Sequence, residues 1–267
     1  MRPERRSRRP AFVCAVLVWL ALAGPARGET IDELFEQSNQ AYFQERYRDA
    51  LDGWQRIVDG FGVDDPALAY NLGNAAFKLD RLGEAVYWYK RALALDPVEA
   101  VETDARANLG LARAALTERY RKEAKGQFVF DESHGASYTF FTLLPASGVQ
   151  WAFVAAWITL FGLLAARRLR TTPGLGWAAV ALAIIVLVTG TLWVGNLSVT
   201  ARTRLGVVVA KDAELKEGRH PDAAAHAIPE GLEVRIVDTA DPEWTRIELS
   251  NGLEGWVPVR AVRQIGG

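Results

Sequence analysis

Two long apolar runs, residues 149–166 and 175–194, contain no Asp, Glu, Lys or Arg. Each is close to the ~18–20 residues with which a helix crosses a hydrocarbon core. Two buried helices of a soluble core are the alternative, but buried helices are usually shorter, and two such runs rarely stand side by side in a soluble protein. A two-helix transmembrane hairpin is therefore expected, with helices at 149–166 and 175–195. The stretch between them, ARRLRTTPG, holds three arginines, a proline and a glycine. The whole chain is 50% hydrophobic and 24% charged, averages that would suit a soluble protein. The bunching of the apolar residues overrides them.

The N-terminus supplies a second constraint. Five arginines precede an apolar stretch from Ala11 to Ala23, and small residues follow up to Gly28. This is the three-part build of a secretory signal, with an apolar part that is short for a stable span. Two readings stand: cleavage near Gly28, or retention as an N-terminal anchor. Arg8 and Arg9 faintly resemble a twin-arginine signal, although the residues after them fit that pattern poorly. The only cysteine, Cys14, lies within this segment and lacks the small residues of a lipoprotein cleavage site before it. The rest of the chain thus has no cysteine for a disulfide, a thiolate metal site or a nucleophile. Removing residues 1–28, of net charge +5, from a chain at −1 leaves the remainder at −6. A mildly acidic remainder has no overall electrostatic pull toward nucleic acid.

Positively charged loops stay cytoplasmic. Arg167, Arg168 and Arg170 lie in the loop at 167–174, whereas residues 126–148 contain no Lys or Arg. Arg202, Arg204 and Lys211 after the second run narrow that margin. Export by the N-terminal segment points the same way. The expected location is the bacterial inner membrane, with residues 29–148 and 198–267 both outside the cytoplasm. Trp151, Trp177 and Trp193 fall near the ends of the runs, as interfacial aromatics do.

Residues 29–125 are helical in pattern. In residues 66–97, Leu72, Gly73, Ala85, Tyr89, Ala92 and Pro97 stand at the offsets of a tetratricopeptide repeat, with Ala76 and Asp80 departing from it. Gly73 and Ala85 are small where two antiparallel helices would touch, and Tyr89 would fill the wedge toward a neighbouring unit. A looser copy occupies residues 35–60, where Tyr47, Ala50 and Trp54 precede Leu82, Ala85 and Tyr89 by 35 positions. Asn108-Leu109-Gly110 then repeats Asn71-Leu72-Gly73 and opens a helix expected to cap the stack. Two repeats and a cap are near the minimum for such a solenoid. The first helix of each pair would line a concave groove with Asn39, Tyr42, Asn71, Asn74, Phe77, Lys78 and Asn108. Amide side chains can bond a peptide backbone through both donors and acceptors, and Lys78 can meet a carboxylate. The same asparagines could equally cap, bridge or merely solvate that face.

Residues 126–148 are either a plain linker or a segment lying on the outer membrane–water interface. From 203 to 265 the pattern turns to strands. GVVVA, EVRIVD, TRIELS and GWVPV are short runs rich in β-branched residues, and Ser250-Asn251-Gly252 marks a tight turn. Five short strands are expected in a small barrel resembling a bacterial SH3-like domain, the resemblance resting on Trp244 and on Gly255-Trp256-Val257-Pro258. Trp244 would line a shallow aromatic groove or serve as a core or edge residue; Trp256 is expected in the core. His220 and His226 lack companions for a metal site. The sequence holds no recognised nucleophile, metal or phosphate motif, so neither a catalytic residue nor a cofactor is expected.

The expected fold class is thus a multidomain membrane protein: an all-α tetratricopeptide solenoid, a transmembrane hairpin and an all-β SH3-like barrel. In this order of parts, and in YNLGNAAFKLDRLGEAVYWYKRALALDP followed by RANLGLAR, the chain resembles the BatE type of the Bat aerotolerance family. The resemblance implies a membrane-anchored envelope protein without enzyme activity, working beside von Willebrand factor A-domain membrane proteins and a MoxR-type ATPase. The expected function is a non-enzymatic adaptor or scaffold for protein partners in an envelope stress complex. The alternative is a peptidoglycan-binding or wall-sensing module acting through the SH3-like segment.

Overall fold

The computed structural model describes residues 30–122, 136–169, 174–220 and 222–266. The expected signal segment with Cys14, and Arg170 in the basic break, lie outside the described residues. Eight helices precede seven strands among those described. They fall into two compact units, one ending at Gly62 and the other beginning at Val63. The division comes inside the segment expected to form one helical domain.

The first unit holds α1 (Ile31–Phe43) and α2 (Tyr47–Phe61). Thr30 and Glu33 start α1 with a reciprocal capping box: the Thr30 hydroxyl accepts the Glu33 N–H, and the Glu33 carboxylate accepts the Thr30 N–H. Each satisfies a backbone donor that the first helical turn leaves open. Leu34, Ser38 and Ala41 are buried on α1, and Ala50, Leu51, Trp54 and Ile57 on α2. Ser38 is tolerated there because its hydroxyl donates to the Leu34 carbonyl at 2.7 Å.

The second unit begins with α3 (Pro66–Lys78), α4 (Leu82–Ala94) and α5 (Glu99–Lys122). Asp65 caps α3, its carboxylate accepting the Leu68 N–H at 2.8 Å, and Pro66 occupies the first turn, where no N–H is needed. Asp80, which departs from the repeat's usual glycine, turns the chain between α3 and α4 at φ 60°. Glu45 does the same between α1 and α2, also at φ 60°. The left-handed turn is thus kept 35 positions apart without glycine, at the steric cost a non-glycine residue bears there. Tyr89 is 1% exposed, and its ring lies against Gly73 of α3, where an added Cβ would sit 2.6 Å from the ring.

A short helix, α6 (Ala136–Thr142), leads into α7 (Ala146–Leu169) and α8 (Gly174–Arg202). At 1.5 Å per residue, α7 and α8 are about 36 and 43 Å long, more than the ~30 Å of a hydrocarbon core. Only 6% of each apolar window is buried in the molecule, unlike a core helix of a soluble protein. Both are long and apolar enough to cross a membrane. Where they pack together, Phe153 fits against Gly190 and its ring lies 5.5 Å from that of Trp193.

Thr203 alone separates α8 from the first strand, and its N–H still donates to Val199. The strands are β1 (Arg204–Val208), β2 (Ala213–Lys216), β3 (Ala225–Ile228), β4 (Glu233–Asp238), β5 (Trp244–Glu248), β6 (Glu254–Pro258) and β7 (Val262–Gln264). They form one antiparallel sheet in the order β3-β2-β6-β5-β4-β1-β7. The expected five strands are seven, and the hydrogen-bonded ladder is open, with β3 and β7 at its edges. AELK and AHAI, outside the runs expected as strands, have weak strand propensity and are held by pairing with each other. Asn251 and Gly252 make the expected turn between β5 and β6, Gly252 at φ 83°. Val208, Leu215, Val234, Ile236, Ile247 and Val257 lead the sheet's core.

Two glycines in this unit make opposite predictions. Gly73→Ala pushes a methyl into the Tyr89 ring and is expected to destabilise by about 1–3 kcal/mol. Gly110 lies exposed within α5 with nothing within 4 Å of an added Cβ. Gly110→Ala is expected to stabilise by about 1 kcal/mol through helix propensity. Thermal melts of the full chain in detergent should move in opposite directions for the two variants.

Candidate functional site

The polar groups of the second unit converge where the sheet meets α4 and α5. The turn before β4 reads Pro229-Glu230-Gly231, and Glu230 is 1% exposed. Its carboxylate accepts the Gly83 N–H at 2.9 Å, near the N-terminus of α4, and Arg119 of α5 at 2.7 Å. Its backbone N–H donates to the Tyr120 hydroxyl at 3.0 Å. The other arm of the Arg119 guanidinium pairs with Asp80. A carboxylate at a helix N-terminus also meets the positive end of the helix dipole. Close approach is possible because two glycines face this turn. A Cβ on Gly83 would lie 2.9 Å from that of Glu230, and one on Gly231 would lie 2.3 Å from Leu116.

Glu233, at the start of β4, extends the same junction. It is nearly buried and pairs with Arg113 of α5 and, at 2.9 Å, with Lys90 of α4. On the β7 side, the Arg263 guanidinium lies over the rings of Tyr87 and Trp88, 4.4 and 4.6 Å from their centroids. Arg91 donates to the Ile265 carbonyl at 2.6 Å and pairs with Asp64. Buried charges are tolerated only when paired and hydrogen-bonded, and Glu230 meets that condition with the Gly83 N–H and Arg119. Beside it opens a cleft of about 320 Å³, with Ala213, Ala227, Ile228 and Pro229 in its wall and Lys211, Asp212 and Glu214 among its polar groups.

The residues singled out in the sequence fare unequally. In the first unit, Asn39 and Tyr42 are half-buried on α1. Tyr42 belongs to an aromatic cluster, its ring 5.2 Å from Tyr47 and 5.6 Å from Trp54. In the second unit, Asn71, Asn74, Phe77 and Lys78 lie on α3 and Asn108 on α5. Asn74 and Asn108 come together. The Asn74 carbonyl accepts from the Tyr89 hydroxyl and from the Asn108 amide, both at 2.9 Å, and Asn108 also donates to Tyr70 at 3.3 Å. These two amides tie three helices together, the bridging role set out above as the alternative. Asn71 and Phe77 are half-buried and Lys78 is exposed.

Trp244 is half-buried on β5 and stands outside the sheet's core. Just before it, the N–H groups of Glu243 and Trp244 donate to the Asp241 carboxylate and hold it below the usual aspartate range. Trp256 departs from expectation. The alternation along β6 buries Gly255 and Val257 and turns Trp256 outward, half-exposed, with the Arg219 guanidinium 4.9 Å from its ring. Its two neighbours already fill the inner face. His220 and His226 are exposed, and among the described residues no group of three His, Cys, Asp or Glu side chains converges as a metal site.

No family model matches this chain, and no curated protein matches it. The junction itself was not legible in the sequence. Its partners lie far apart in the chain, 147 positions for Glu230 and Gly83, which no local pattern marks. The one available signal was Glu230 and Glu233 flanking Leu232 where a strand enters the core.

Removing one partner of a buried pair leaves the other charge uncompensated. Glu230→Ala is expected to cost about 3 kcal/mol, the low end for such a loss because Arg119 keeps Asp80. Arg46→Ala, which breaks a pair exposed on both sides (55% and 58%), should cost under about 1 kcal/mol. Urea unfolding of the full chain in detergent, followed by tryptophan fluorescence, measures both.

Proposed function

We propose that this chain is a non-enzymatic adaptor of the bacterial inner membrane, with its helical and strand segments outside the cytoplasm. On this reading α1–α5 are tetratricopeptide-like pairs, the sheet is an SH3-like domain, and the whole is of BatE type. The observation that carries the reading is the polar junction between the sheet and α4–α5. Charged side chains there hold two recognition elements in fixed register, while α8 passes into the sheet through one residue. Two elements in fixed register on one membrane anchor meet a membrane partner at high effective concentration, so each contact can be weak.

The repeat-like spacing of the left-handed turns at Glu45 and Asp80 supports the helical assignment. Arg167 and Arg168, exposed at the end of α7, support a cytoplasmic loop. Asn71, Phe77 and Lys78 are the contacts proposed for a partner segment on α3; Asn39 and Tyr42 are proposed separately, on α1. Asn74 and Asn108 become residues that shape the surface. Protein partners, von Willebrand factor A-domain membrane proteins among them, follow from the family resemblance.

The second reading is wall binding through the sheet. Trp244 and Trp256 on neighbouring strands, neither of them in the core, favour it. A photocrosslinking residue placed at Asn71 or Phe77 of the full chain, in native membranes, separates the two. The adaptor reading expects crosslinks to a membrane protein. No protein crosslink, with retention of the solubilised chain on purified sacculi that Trp244→Ala abolishes, would favour the wall instead.

A further inference from the structure

The short helix α6 and the residues after it carry no charge and turn three large apolar side chains outward. Phe140, Leu143 and Leu144 are 61, 75 and 53% exposed, and residues 136–144 carry no Asp, Glu, Lys or Arg. A free surface linker of this composition would be costly to leave in water. Yet the segment is fixed in place. The Asn196 side chain, on a residue only 4% exposed in α8, donates to the Phe141 carbonyl at 2.8 Å. The Phe141 ring fills the space beside Gly195, where an added Cβ would lie 2.1 Å from it.

The position of this clamp identifies what covers the exposed side chains. Gly195 and Asn196 immediately follow the apolar run that ends at Val194, so Phe141 is pinned at the end of the membrane-length stretch. Trp193 and Phe153 pack together just inside that level. An uncharged aromatic and leucine-rich segment at this height is suited to the headgroup–acyl boundary, where amphipathic aromatic side chains concentrate. Phe140, Leu143 and Leu144 are exposed, as are Ile158 and Phe161 of α7 and Leu187 of α8.

We propose that residues 136–144 form an interfacial foot, docked on α8 through Asn196 and Gly195, with Phe140, Leu143 and Leu144 inserted into the lipid boundary on the side of the sheet. The proposal rests on the reading that α7 and α8 cross a membrane. Its consequence is geometric. From Asn196 to Arg202 the chain rises about 9 Å as helix, so the foot sets the height at which the sheet stands above the bilayer.

Spin labels test this on the full chain in vesicles of phosphatidylethanolamine and phosphatidylglycerol, in a Cys14→Ser background. Labels at Phe140→Cys, Leu143→Cys and Leu144→Cys are compared with Leu253→Cys on the sheet and Ile158→Cys in mid-span. The proposal expects collisions with oxygen, relative to a water-soluble nickel chelate, to be several-fold higher at 140, 143 and 144 than at 253, and lower than at 158. Nickel access at 143 and 144 equal to that at 253, with 158 still oxygen-rich, overturns the foot and leaves the spans intact. Low access to both reagents would mean that protein covers the segment, and also overturns it. Nickel access at 158 would sink the membrane-spanning reading itself.

Discussion

Glu230 is the group on which the second unit turns. A carboxylate 1% exposed cannot remain charged inside a protein without partners, and this one has the Gly83 N–H and Arg119. Those partners come from two different helices, and the carboxylate comes from the sheet's β1–β4 side. The sheet therefore cannot leave α4 and α5 without stranding several charges at once. Glu233 with Lys90 and Arg113, and Arg263 over Tyr87 and Trp88, repeat this logic along the same seam. Apolar contacts such as Gly231 against Leu116 supply attraction without direction. The buried pairs supply direction, since replacing them by well-packed apolar groups often leaves stability unchanged while breaking one side is costly.

Consequences run outward from that seam toward the membrane. The sheet begins one residue after α8 ends, and the last turn of that helix is still hydrogen-bonded at Thr203. A helix of 29 residues joined this tightly to a docked sheet transmits its orientation to α4 and α5. Two modules on flexible tethers would not do so. The recognition surface proposed on α3 and the tryptophans of the sheet then face a partner with fixed geometry, which lowers the ordering cost of binding.

What could be read in the sequence was local. Hydrophobic runs gave α7 and α8 because length against bilayer thickness needs no tertiary information. The 35-residue spacing gave the two helix pairs, and the Asp80 turn kept its left-handed backbone although glycine was missing. Strand alternation gave β4, β5 and β6 and the turn at Gly252. What could not be read depended on partners distant in the chain. Asn74 and Asn108 resembled binding amides, but they bond to each other across 34 positions. Trp256 resembled a core residue, yet strand parity gives the inner face to Gly255 and Val257. AELK and AHAI became strands by pairing rather than by propensity. The seam joins residues up to 174 positions apart, a separation that no local pattern encodes.

The central claim is that sheet and helices of the second unit move as one body above the membrane. Distances between spin labels at Lys78→Cys on α3 and Leu253→Cys on the sheet, in a Cys14→Ser full chain in lipid vesicles, test it most directly. The account predicts a single narrow distance distribution that broadens when Glu230→Ala and Glu233→Ala are introduced together. A broad distribution in the otherwise unaltered chain, unmoved by those two substitutions, would contradict it.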